Sequence, residues 1–197
     1  MKINEIKAKA ISMGDRVYEM LEFIEKGFME NKPEHLTLAI RIENELNDSE
    51  KSLTGSILEL SKTAKDTKNF LVLEQMVETF ERMGDEASNL IERIEIKIAE
   101  HLLFSDLGVE QFNETYNAMK KSIEMLREFL KDRGPGLKDR IIDNGYQVKN
   151  LVERYRKEHA ERLVKGICTP MAANMYFDML DFTGNLARHA SNVAKLF

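Results

Sequence analysis

The 197-residue chain holds one cysteine, no tryptophan, three prolines and ten glycines. The single cysteine, Cys168, makes no internal disulfide, and no Cys/His cluster exists to hold structural zinc, so a reducing, cytoplasmic setting is expected. With so few breakers and a composition led by Leu, Ile, Met, Ala, Glu and Lys, a rich β-sheet is excluded and an all-α fold is predicted. No apolar run approaches the roughly 18 residues that span a bilayer. The first 25 residues carry Glu5, Asp15, Glu19, Glu22 and Glu25, so neither a signal peptide nor a transmembrane helix is expected. No basic stripe interleaved with aromatics points to nucleic acid. Reaction motifs are missing too. A ferritin-like di-iron centre needs Glu-x-x-His pairs, and there are none; nor is there a Gly-rich phosphate loop, a G-x-S-x-G, or a nucleophile with an orienting base. His159 continues an apolar stripe with Val148, Val152 and Tyr155 and reads as a packing histidine, and nothing nearby in sequence activates Cys168.

Charge is present in quantity but unevenly. Residues 1–104 hold 14 Lys+Arg against 21 Asp+Glu, whereas residues 105–197 hold 15 against 13. The acidic half should attract cations and repel nucleic acid.

Caps and breakers predict six helices, at 3–30, 34–64, 68–103, 108–131, 137–165 and 170–196. Gly134-Pro135-Gly136 is the strongest stop, and Thr169-Pro170 pairs an N-cap hydroxyl with a proline at the first helical position. Ser105-Asp106-Leu107-Gly108 marks a midpoint with three helices on each side, which suggests two tandem three-helix repeats, 1–104 and 105–197. Ala87-Ser88-Asn89-Leu90 returns as Ala190-Ser191-Asn192-Val193 at an offset of 103, and the stripes of the two second helices superpose at 102.

Two carboxylates interrupt the apolar seam predicted for the second helix, which runs Leu36, Ala39, Glu43, Leu46, Glu50, Leu53, Ile57 and Leu60, with Asn47 at its edge. A buried carboxylate needs a proton, a cationic partner or a metal. The third helix has an apolar face from Phe70 to Ile98 and, on one rim, Glu74, Glu78, Glu81, Asp85 and Asn89. Taken alone, that rim reads as a solvated acidic edge. Beside Glu43, Asn47 and Glu50 it becomes an all-oxygen cluster from two helices, suited to Mg²⁺, Ca²⁺ or Mn²⁺ and, in helical carboxylate sites, to iron. Both readings stay open on spacing alone.

The segment Phe80-Glu81-Arg82-Met83-Gly84-Asp85-Glu86-Ala87-Ser88-Asn89-Leu90 resembles the motif that closes the third helix of each repeat in the PhoU family of phosphate-uptake regulators. The tandem three-helix plan is similar as well. The stretch from His159 to Asn192, with Glu161-Arg162-Leu163, Gly166 and the closing His-Ala-Ser-Asn, is similar to the PhoU-type domains of sodium/phosphate cotransporters. The resemblance implies metal ligands at Glu43, Asn47, Glu81 and Asp85, with Glu50 beside them, and a cofactor drawn from iron, zinc, manganese or magnesium. Asn47 stands where the family has aspartate, which weakens the expected site.

In the second repeat the offsets place Gly145 for Glu43, Lys149 for Asn47, Val152 for Glu50, Gly184 for Glu81 and Arg188 for Asp85. No carboxylate survives, so at most one metal cluster is expected, in the first repeat. Lys149 and Arg188, with His189 as a further candidate, could bind an anion such as phosphate. The simpler expectation is an internal salt bridge to Asp178 or Asp181.

The resemblance implies a non-enzymatic cytoplasmic regulator that restrains phosphate transport and its signalling. Its partners would be a phosphate transporter or its ATPase subunit and, in some systems, a sensor histidine kinase; it would be peripheral to the membrane at most, and homodimers occur among such proteins. The competing readings are a structural or dimerising bundle without metal, and a metal-dependent hydrolase, which would also need an open coordination position and a substrate pocket.

Overall fold

The structure, a computed structural model, describes residues 2–62 and 67–197. Six helices account for nearly all of them: α1 Ile3–Glu30, α2 Pro33–Ser61, α3 Lys68–Ala99, α4 Asp106–Lys131, α5 Leu137–Val164 and α6 Pro170–Lys195. The local signals act as the sequence suggests. The Ser105 hydroxyl accepts the Gly108 N–H at 3.2 Å, and so starts α4 at Asp106 rather than at residue 108. Thr169 likewise accepts the Ala172 N–H at 3.3 Å, with Pro170 at the first turn of α6. Gly136 opens α5 at φ 76, where a Cβ would be strained.

One helix end falls well short of expectation. Helix α3 stops at Ala99 instead of 103 because His101 turns left-handed, φ 51. The Leu102 N–H then closes on the Lys97 carbonyl at 3.0 Å and the His101 N–H on Ile98 at 3.3 Å, a Schellman closure that ordinarily uses glycine and was hidden by the histidine. The expected end of α2, at residue 64, lies outside the described residues.

Helices α1, α2 and α3 pack on one another, as do α4, α5 and α6, and the two sets meet through α1 against α4 and α3 against α6. Like therefore meets like, with α2 and α5 on the outside. Glu86 of α3 lies 4.0 Å from His189 of α6, the residue 103 positions later. One continuous apolar core runs through both halves, with Phe80 and Tyr176 among its fully buried members. Polar ties join the halves at its edge. The Tyr116 hydroxyl donates to the Leu21 carbonyl at 2.8 Å, Lys120 meets Glu25 at 2.6 Å, and Arg93 meets Asp178 at 3.1 Å. Arg127 and Lys131 both reach Asp15, at 2.6 and 2.9 Å. Burial raises the Asp15 carboxyl, but the hydrogen bonds from Lys131 and Arg127 outweigh it and leave the group below its usual range.

Candidate functional site

The outer face of the first repeat is built by α2 and α3, which come together where Gly84 leaves room: a Cβ there would lie 3.2 Å from Leu46 Cδ1. Leu36, Ala39, Leu46, Leu53 and Ile57 are buried as expected. The middle of the α2 stripe is occupied by Ile42, however, and Glu43, Glu50 and Leu60 are only half-buried. The seam is thus turned by part of a residue from the expected one, and the two carboxylates stand on its rim, within reach of water.

Their partners are local. Asn47 Nδ2 donates to Glu43 Oε1 at 2.7 Å, and Thr54 Oγ1 donates to Glu50 Oε1 at 3.0 Å, each from the next helical turn. On α3 the acidic edge is mostly solvated: Glu74, Glu78, Asp85 and Asn89 are exposed, and Arg82 pairs with Glu78 at 2.5 Å. Glu81 is the half-buried exception. Burial raises its carboxyl above the usual range, and repulsion from Asp85 and then Glu50 adds to this, with Arg82 opposing. Repulsion from Glu50 thus couples the acidic rim of α3 to α2.

The donor set therefore has the chemistry a hard cation requires, and a cation would relieve the repulsion around Glu81. The present side-chain arrangement does not assemble it: among the described residues no three Asp, Glu, His or Cys side chains gather closely enough to hold a metal ion.

Helices α5 and α6 of the second half also approach closely. A Cβ on Gly184 would lie 3.3 Å from Val152 Cγ2, so the second-repeat counterparts of Glu81 and Glu50 also face each other. Lys149 and Arg188 share one groove with them. The expected salt bridges to Asp178 and Asp181 are not formed by these two cations: Arg93 takes Asp178 and Arg156 takes Asp181, while Arg188 Nη2 bonds Asn185 Oδ1 at 3.2 Å. His189 is not part of the groove lining. It is buried against α3, and burial first, then Arg188 and Arg82, lowers it to about 4.

A further polar cluster, at the other end of α5, went unseen in the sequence. His159 is buried and stacked on Tyr176, ring centroids 4.1 Å apart, as befits a packing residue. It also lies 3.6 Å from Cys168 Sγ through Nε2 and 2.9 Å from Arg162 Nη2 through Nδ1. Arginine can only donate, so Nδ1 accepts and the proton of the neutral ring sits on Nε2, facing the sulfur. In that tautomer the imidazole cannot take a proton from the thiol. Arg162, itself buried, also donates to Gln111 Oε1 at 2.8 Å. A Cys/His pair spaced nine residues apart across a helix end matches no nucleophile motif, and only the fold brings the two together.

Comparison with known proteins bears on the first repeat most directly. Residues 10–94 match the PhoU domain family. This PhoU match contains every candidate ligand from Glu43 to Asp85. The whole chain is similar in structure to PhoU from Pseudomonas aeruginosa, with TM-score 0.91 and 14% identity over 98% of this chain and 94% of that one. PhoU from Streptococcus pneumoniae, a phosphate transport system regulatory protein, gives 0.86 and 14% over 98% and 91%. A PhoU-like protein from Shewanella oneidensis gives 0.65 and 13% over 96% of each chain. No curated protein matches. The chain thus has the six-helix PhoU fold. Among the described residues no helix is long and apolar enough to cross a membrane.

Proposed function

We propose that this chain regulates phosphate transport by contact with other proteins at the cytoplasmic face of the membrane and performs no chemistry of its own. The PhoU match over residues 10–94 carries the reading. Two features support it: the full-length likeness to PhoU structures, and the tautomer of His159, which deprives Cys168 of a base. The partner is a phosphate transporter, met through its ATPase subunit. The test is copurification of the tagged chain with that subunit from detergent-solubilised host membranes, read by immunoblot. Retention through washes at moderate salt is expected; recovery no higher than for an unrelated helical bundle contradicts the proposal.

The proposal includes a cation at Glu43, Glu50, Glu81 and Asp85, with Asn47 as a neutral fifth donor, taken up when the carboxylates turn away from Asn47, Thr54 and solvent. A bound cation would tie α2 to α3 and offer an anchoring point to an acidic group of a partner. Elemental analysis of the purified, tag-free protein should find at least about one metal ion per chain, lost in a Glu81→Ala/Asp85→Ala variant dialysed identically. Equal metal in both preparations, or none in either under saturating iron, zinc, manganese or magnesium, contradicts the site and leaves Glu43 and Glu50 with the local partners described above.

A further inference from the structure

The five second-repeat positions that replace the candidate ligands, Gly145, Lys149, Val152, Gly184 and Arg188, all line a single groove of about 630 Å³ between α5 and α6. These positions follow from sequence offsets alone, and the fold brings all five to one hollow. Two glutamates have become glycines there, removing both charge and bulk. Gly145 has a packing reason of its own, since a Cβ would meet Ser191 Oγ at 2.4 Å. Gly184 is less constrained, with Val152 Cγ2 at 3.3 Å.

The charge of the groove is inverted relative to the first repeat. Four cations, Lys149, Arg156, Arg188 and Lys195, line it against two carboxylates, Glu153 and Asp181, in a chain whose net charge is −5. The carboxylates do not neutralise it. Asp181 is taken by Arg156, and among the described residues Glu153 pairs only with Lys149, at 3.6 Å and with both side chains exposed, where an ion pair contributes little. Arg188 bonds the neutral Asn185 and lies within the field of Glu86 across the repeat interface, and Lys195 forms no ion pair among the described residues. One wall is apolar, from Ile142 and Val152, and Tyr146 also lines the groove while 60% exposed. The volume is that of a small-molecule site and would hold roughly twenty waters at about 30 Å³ each, far more than an inorganic anion fills.

We infer that this groove binds a small organic phosphate, its anionic group held by Arg188 and Lys149 and an aromatic body laid against Val152, Ile142 and the Tyr146 ring. A guanidinium and an ammonium lining one groove suit phosphate oxygens, and an exposed tyrosine ring suits a planar base or similar group. The inference stands apart from the phosphate-transport reading and survives its failure, since it rests on the second repeat alone.

Amide NMR of the ¹⁵N-labelled full chain tests it, with AMP and inorganic phosphate as the two probes. AMP should produce saturable shifts concentrated at Gly145, Lys149, Gly184 and Arg188, and inorganic phosphate should shift the same amides with at least about tenfold weaker affinity, the difference being the stacked ring. A Lys149→Ala/Arg188→Ala variant should weaken AMP by at least about tenfold. Gly184→Glu, which restores the first-repeat carboxylate, should abolish binding. Both variants must keep the parent's amide pattern outside the groove, which separates loss of a site from loss of fold. Linear or scattered AMP shifts, equal affinity for the two probes, or undiminished binding in the folded double variant would each overturn the assignment.

Discussion

Phe80→Ala is expected to destabilise the protein by about 3–5 kcal/mol, read as a large drop in the urea midpoint with little change in slope. The ring is wholly buried at the centre of α3, and it fits against α1 because Gly14 gives it room: a Cβ at Gly14 would lie 3.0 Å from Phe80 Cζ. Truncation leaves a cavity that three helices must close, and rigid helices close it only in part. The reciprocal change should hurt as well. Gly14→Ala pushes a stiff aromatic ring by a few tenths of an ångström, and in combination with Phe80→Leu its cost should shrink, because the shorter side chain can retreat. Phe80 directly precedes Glu81, so it also fixes how α3 presents the acidic edge. A loss below about 1 kcal/mol for Phe80→Ala would mean that α1 and α3 do not pack as described.

Helix limits were readable in the sequence because their causes are local: a hydroxyl before a proline at 169–170, a serine at 105, a glycine at 136. The end of α3 was not, because a left-handed histidine carries no composition signal. The centre of the α2 stripe is ambiguous in the sequence, since Ile42 and Glu43 each sit three and four residues from Ala39 and Leu46 in one order or the other, and only the neighbouring helices turn Ile42 inward. Side-chain partners were the least legible. Arg156 and Asp181 are 25 residues apart, Arg93 and Asp178 much farther, and His159 meets Cys168 only around the end of α5. The groove of the second repeat lies between these extremes: its five key residues could be named from the repeat offsets, whereas its hollow shape follows from how two helices cross.

The second large effect concerns acid. Between pH 6.5 and 4 the protein should lose on the order of 3 kcal/mol of stability through His159 alone. Burial, and then the Arg162 guanidinium beside it, hold this histidine down to about 4, against an ordinary value near 6.5. The ring is neutral in the fold, while the unfolded chain takes up a proton below pH 6.5. The stabilising contribution is therefore complete above pH 6.5 and lost as the pH falls toward 4, where the folded form protonates too. His189, lowered to about 4 in the same manner, adds to the slope. Urea titrations at half-unit pH intervals measure it. His159→Gln should start less stable, having lost its stacking on Tyr176, but show a flatter decline over that range. An equally steep decline in this variant would place the proton uptake elsewhere.

Phosphate uptake by host cells lacking this chain tests the central claim most directly. Cells complemented with the intact protein should restrain uptake when external phosphate is plentiful, and deletion should release that restraint while transporter abundance is held constant by an independent promoter. A Glu81→Ala/Asp85→Ala chain, if folded, should restore it only in part. Uptake that is identical with and without the chain, at equal transporter abundance, would contradict the account.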